Sequence, residues 1–309
     1  MKSIHFYAAT VVVFVVSGPL LMAQDARIHR LEQLPAPSVP TNLVTATSGG
    51  PGRAGEDLDD LGPELILARR PKPPVFELSA DTQYSFNSNI QLTKTHAESD
   101  GELDETLRVS ASPSLVPHLT SMVYVNQQFI RYNTYAINDY DSQSAGVSLS
   151  YPLGPNGSWG TLYGGFDANR LCYPVDAGEI FKEYDTLIGL WRSHMLGRRV
   201  ALSYGYQLDW LPSHPSAWTR VYNALAGSLS VKITEKLNAQ LYYRLRDQEF
   251  LQATRNDLDH LVYLTLSYTY NRFVAARLYG SYGDSSSSVP ANDYRVTNGG
   301  AGLALSLRF

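Results

Sequence analysis

The residues of this chain that could perform chemistry are scattered. His29, His96, His118, His194, His214 and His260 stand far apart, and none makes a ligand spacing with another histidine, with the single cysteine Cys172 or with a carboxylate cluster. No metal or cofactor site is expected, and no catalytic residue. One Ser–His combination could support acyl chemistry at a membrane surface: His260 with the serine run Ser285–Ser288. A rim histidine and a Ser-rich loop is the plainer reading of the same residues. Electrostatic chemistry has better support. Arg108, Arg192, Arg244, Arg246 and Arg277 are placed on the polar parity of alternating segments, together with Glu77, Asp81, Asp167 and Asp209. A guanidinium offers paired donors to carboxylates and phosphates, so on a water-filled wall these arginines would contact an anionic solute. The competing use is internal bracing, arginine against carboxylate.

The elements that must position these side chains have period two. Phe76, Leu78, Ala80, Thr82, Tyr84 and Phe86 alternate with Glu77, Ser79, Asp81, Gln83 and Ser85. Val200, Leu202, Tyr204, Tyr206, Leu208 and Trp210 form the cleanest apolar face, and Leu237 to Leu245 alternate against Asn238, Gln240, Tyr242, Arg244 and Arg246. Each is a strand with one greasy and one polar face. From Val75 to Phe309 about twelve such strands can be counted. Pro113 interrupts one of them, and the facing of Thr120–Tyr132 cannot be decided from its residues. Short turns at Pro117, Gly154–Gly157, Leu196–Arg199, Thr234–Lys236 and Asn271–Arg272 alternate with longer polar loops, among them Lys94–Leu103, Leu171–Glu183 and Gly283–Asn292.

The first part of the chain has a different grammar. Residues 1–23 read as a secretory signal peptide, with Lys2, an apolar run from Phe6 to Val16 and Leu21-Met22-Ala23 before Gln24. Loss of Lys2 with this leader makes the remainder one charge more acidic than the formal −4 of the whole chain. Nothing here suggests nucleic acid. Residues 24–74 contain eight of the seventeen prolines, the stretch TATSGGPGRAG and the acidic patch Glu56, Asp57, Asp59, Asp60. This composition predicts a mostly disordered arm, with a plug or docking peptide as the alternative. No other apolar run is long enough for a transmembrane helix. The mean hydropathy of −0.20 is compatible with a membrane barrel, which hides apolar residues at alternate positions only. The 21 tyrosines suit an aromatic girdle at a lipid interface.

Two stretches carry a family resemblance. The ending TNGGAGLALSLRF alternates Ala301, Leu303, Leu305, Leu307 and Phe309 with small or polar residues. It resembles the terminal strand of bacterial outer-membrane β-barrels, whose closing Phe is read by the barrel-assembly machinery. The segment Tyr84–Ile90, YSFNSNI, resembles a motif near the first strand of β-barrel porin families, with Asn87 where Asp is usual. The Arg-Asp-Gln of Arg246–Gln248 is an approximate match to a second motif. The likeness covers residues 75–309 and implies an all-β fold: a transmembrane antiparallel up-and-down β-barrel of about 12 strands. It implies outer-membrane lipids as surroundings and the assembly machinery as a partner of the Phe309 strand. The implied function is a porin-like channel for small polar solutes or oligosaccharides, anionic ones if the arginines face water. The alternatives are a closed barrel serving polysaccharide export and, more weakly, a surface lipid-modifying enzyme.

Overall fold

An alternating strand alone leaves its N–H and C=O groups unmatched and its apolar face uncovered, so these segments must pair. The structure, a computed structural model, describes residues 75–116, 118–175 and 178–309. The leader expected over 1–23 and the arm expected over 24–74 lie outside the described residues. The strands are β1 (Phe76–Asn87), β2 (Asp100–Ala111), the short β3 (Ser114–Val116), β4 (Leu119–Tyr132), β5 (Tyr140–Leu153), β6 (Gly160–Cys172) and β7 (Glu179–Met195). They continue with β8 (Val200–Leu211), the two-residue β9 (Ser213–His214), β10 (Arg220–Lys232), β11 (Leu237–Phe250), β12 (Arg255–Thr269), β13 (Val274–Ser287) and β14 (Tyr294–Arg308).

All of these except β3 and β9 form a closed, 12-stranded antiparallel barrel. Each stave pairs with the next, β2 with β4 and β8 with β10 passing over the two short strands. β1 closes the ring on β14, from Glu77↔Arg308 to Asn87↔Asn298. The seam runs to the last residue: the Phe309 N–H donates to the Phe76 carbonyl at 2.9 Å, and the Phe309 carbonyl accepts from Val75 N–H at 2.9 Å. Closure removes the unpaired edge that an open sheet would expose. Among the described residues no helix is long and apolar enough to cross a membrane, which has no bearing on a crossing made by strands.

The register settles which face is which. Leu78, Leu107, Val125, Leu149, Ile188, Leu208, Leu241, Leu264 and Leu305 are exposed on the outside, flanked by Tyr84, Tyr204, Tyr206, Trp210, Tyr268 and Tyr282. In β4, Val123 and Val125 point outward, while Tyr124, Asn126, Gln128, Ile130 and Tyr132 share the inner face of their partners in β2 and β5. Sequence parity was ambiguous there because the inner face itself is part apolar. One end of the barrel carries Val75, Phe309 and turns of four residues at 196–199, 233–236 and 270–273; the other carries the longest connection, 88–99, but also a four-residue one at 251–254, so the expected strict alternation of short turns and long loops holds only in part. At that loop end the strands run further than turn residues indicate. β2 begins at Asp100, inside the loop expected to reach Leu103, and β13 extends to Ser287, inside the one expected from Gly283. These strand ends pack polar side chains inward, so they show no apolar alternation.

Candidate functional site

The interior is layered. At the loop end the β1–β2 connection turns into the mouth. Ile90 is buried against Ile130, Tyr132, Tyr140, Leu171 and Phe181, with Trp218 and Tyr135 packed on the same cluster. Leu92 is buried against Tyr294 and Val296 of β14. The asparagines of YSFNSNI hold this cap in place. Asn87 Oδ1 accepts the Asn89 N–H at 2.9 Å, and Asn89 Nδ2 donates to the carbonyls of Thr93 and Arg295 at 2.8 and 2.9 Å. A latch joins the cap to the β13–β14 connection, Lys94 Nζ donating to Asp293 Oδ2 at 2.7 Å. That bond, aided by the Ser287 N–H, holds the Asp293 carboxyl below its ordinary value of 3.8. A carboxylate with a lowered pKa keeps its partner from neutral pH down through that value and loses it only in stronger acid. The latch therefore does not respond to mild acidification.

Below the cap lies a layer of buried ion pairs and amides. Arg246 reaches Asp259 at 2.6 Å, Arg255 reaches Asp257 at 2.5 Å, and Arg220 reaches Glu183 at 2.7 Å. Gln128 Nε2 donates to both Asp104 oxygens at 3.0 Å, and Gln83 Nε2 donates to Asp104 at 3.0 Å. Throughout this half the inward residues, including Ser85, Asn87, Gln248 and Asp209, are shielded from water. Buried charges persist only when paired or hydrogen-bonded, and these are.

Toward the turn end the lumen opens. Inward positions become small (Ser148, Ser150, Ser228, Ser230, Gly302, Ala304), and large rings there lie flat against the wall. Tyr124 covers Gly146, Tyr163 covers Gly189 and Trp191 covers Gly205, each ring over its direct cross-strand partner. A methyl group on any of these glycines would sit inside the ring, so their lack of a side chain is what keeps the aromatic from crossing the bore. Inward residues such as Ser148, Ser228 and Gly302 are therefore half-buried toward the turn end, whereas those toward the loop end are buried, the arrangement of a cup.

The arginines singled out by sequence separate into three groups. Arg246 and Arg277 are inward and matched, Arg277 Nη2 donating to both Asp81 oxygens at 2.5 Å. Arg108 and Arg244 are inward and half-buried on the cup wall, Arg108 stacked over the Tyr124 ring at 4.1 Å. Arg192 does not face the lumen. It pairs in register with outward Tyr204, because its strand shares the parity of Ile188 and Leu190. His260 is also outward, hydrogen-bonded to Tyr243 at 2.8 Å, whereas Ser285 is inward and buried. Those two lie on opposite faces of the wall, whereas Ser286 is exposed and pairs with Leu258 on the outer face that carries His260. Arg220 and Arg255 were missed, since both begin strands where no apolar alternation shows. The partner of Arg246 did have a signal: Arg246 and Asp259 are equidistant from the turn between Phe250 and Arg255, so a hairpin places them opposite each other. Among the described residues no group of three His, Cys, Asp or Glu is placed to hold a metal.

A closed ring of twelve antiparallel staves, apolar outside and polar inside, is a β-barrel fold of the kind found in outer-membrane channels. Among solved structures, the outer membrane channel from Pseudomonas putida F1 shares this fold with a TM-score of 0.52 at 10% identity, over 76% of this chain and 96% of that one. The KdgM porin in complex with disordered oligogalacturonate aligns at 0.42 with 11% identity over 74% and 99%, and the anion-selective porin from Comamonas acidovorans at 0.42 with 10% over 75% and 98%. No protein-family model and no curated protein matches the chain.

Proposed function

We propose that this chain is an outer-membrane channel for small polar solutes, oriented with its turn end in the periplasm and closed at the cell surface by the cap of residues 88–99. The observation that carries this reading is the cup: rings laid over glycine keep the bore clear toward the turn end, while the cap and the ion-paired layer beneath it close the loop end. Arg108 and Arg244 are the arginines placed to meet a solute. Arg246 and Arg277 brace Asp259 and Asp81, and Asp167 and Asp185 also lie on the inner wall, side by side in register. Glu102, Asp104 and Asp209 also face inward, so the inward acids outnumber the inward arginines. This favours neutral polar solutes such as oligosaccharides over the anions that the arginines alone suggested. Purified barrel in a planar bilayer is expected to show rare openings with no preference for anions in a salt gradient. Strong anion selectivity would return the arginines to the leading role.

The packed outer half supports a second reading, a closed barrel that serves an export or assembly system. Complete absence of openings, with the cap removed as well, would select it. Assembly itself is expected to depend on the terminal strand. Phe309→Asp places a charge at the exposed end of the seam, where the assembly machinery would read it. The variant should accumulate in the periplasm without heat-modifiable migration on gels; normal insertion would contradict this role for Phe309.

A further inference from the structure

The periplasmic rim is charged on one arc only. Starting from the seam where Val75 enters the barrel, the turn end presents Arg308, then Arg272 in the β12–β13 turn, then Lys236 and Lys232, then Arg199 and Arg198 in the β7–β8 turn, all exposed. The opposite arc, Ser112–His118 and Gly154–Trp159, contains no lysine, arginine or acid. The two acids within the basic arc are already engaged: Glu77 with Arg308 at 3.3 Å and Glu235 with Lys232 at 2.6 Å, whose hydrogen bond holds the Glu235 carboxyl below its ordinary value. The track ends in a cleft of about 540 Å³ lined by Arg198, Arg199, Lys232, Ile233, Thr234 and Glu235. Arg199 and Lys232 continue the inward-facing parity of Ala201 and Ser230, the Lys232 N–H donating to the Arg199 carbonyl at 2.7 Å. The cleft therefore borders the open mouth of the cup.

We propose that this cleft is the docking site for the acidic stretch Glu56–Asp60 of the same chain. The sign of the charge matches, with Glu56, Asp57, Asp59 and Asp60 facing Arg198, Arg199 and Lys232, and Leu58 can meet Ile233, which is exposed in the cleft. The reach also fits. From β1 to the β10–β11 turn is five staves around the ring, roughly 24 Å at about 4.8 Å per stave. The chain from Asp60 to Val75, at up to ~3.5 Å per residue, spans about 50 Å. Basic groups line the whole route, so the approach is steered from the point where the arm enters. The surplus of reach over distance requires no fixed conformation between the two ends. This docking places the arm beside the turn-end mouth of the lumen, whether or not the barrel conducts.

The test uses the full-length chain in zwitterionic phosphatidylcholine nanodiscs, with a benzophenone attached at Leu58→Cys; the one native cysteine, Cys172, is buried. Illumination should give an adduct within Arg198–Arg199 or Lys232–Glu235. It should disappear in Arg198→Gln/Arg199→Gln/Lys232→Gln and in 1 M salt, where screening contracts to about 3 Å. Heat-modifiable migration checks that the triple variant is still a closed barrel. An adduct elsewhere on the barrel, an adduct confined to lipid, or one that survives both the triple variant and high salt overturns the proposal.

Discussion

Replacing Ile90 by Asp should raise the open probability of the purified barrel by about tenfold or more. Ile90 is 3% exposed and is the one residue of the cap that enters the apolar cluster formed by the facing wall. Burial of such a side chain is worth ~1.5–3 kcal/mol, and each 1.4 kcal/mol shifts a two-state equilibrium about tenfold. A carboxylate adds a desolvation penalty that favours the displaced cap further. The barrel itself should remain intact, because none of its stave pairings involves residue 90. Single-channel recordings of Ile90→Asp, of Lys94→Ala and of wild type form a series in which the exposed latch contributes least, since water and salt screen an ion pair at the surface. Equal conductance across the series would show that the cap does not close the lumen. The layer of ion pairs beneath it would then be the barrier, and the closed-barrel reading would gain.

Arg246→Ala is the substitution expected to destabilise the barrel most. Arg246 and Asp259 are both almost fully buried, and Asp259 also accepts from Gln248 at 2.5 Å. Removing the guanidinium leaves a carboxylate in a site from which water is excluded, a loss of about 3–5 kcal/mol when one member of a buried pair is deleted. Replacing both, Arg246→Met with Asp259→Leu, should recover most of it, because neither charge then has to be desolvated. Urea unfolding of the two variants in detergent, followed by the change in gel migration, measures the difference. A double variant as unstable as the single one would mean that the pair contributes net attraction and is not only avoiding an unpaired charge.

Much of the fold was legible because a barrel with an apolar outer face writes itself in period two wherever that face is aliphatic. Leu237–Leu245 and Val200–Trp210 needed no structure to be faced correctly. Legibility ended where the aliphatic face did. At the loop end both faces of a strand are polar or mixed, so Arg220 and Arg255 showed no facing although they begin β10 and β12. Parity for Arg192 failed for a related reason: it lies in the last stretch of β7 before the turn, where the outer face changes from aliphatic to polar. The arginines on the inner wall were visible, but their partners were not, since pairing depends on register across strands. Asp81 meets Arg277 only because β14 lies between their strands with a glycine, Gly302, opposite both Gln83 and Arg277. The motif YSFNSNI was noticed for its likeness and not for its use. That Asn89 would tie an inturned segment to the backbone of β14 follows from the folded path of the connection, which no local pattern encodes.

The seam has a consequence for the order of folding. Apart from β1 with β14, the barrel pairings join strands that are neighbours along the chain, so they close short loops and can form as the polypeptide arrives. The seam joins Glu77 to Arg308, 231 residues apart, and it must pay the largest loss of chain freedom for its first contact. It also depends on Phe309, which supplies both a donor and an acceptor to the first stave. A barrel without β14 would keep ten hairpin-linked pairings and still present two raw edges, each able to recruit a neighbour's strand. The last stave to be joined is thus the one on which freedom from a sticky edge depends.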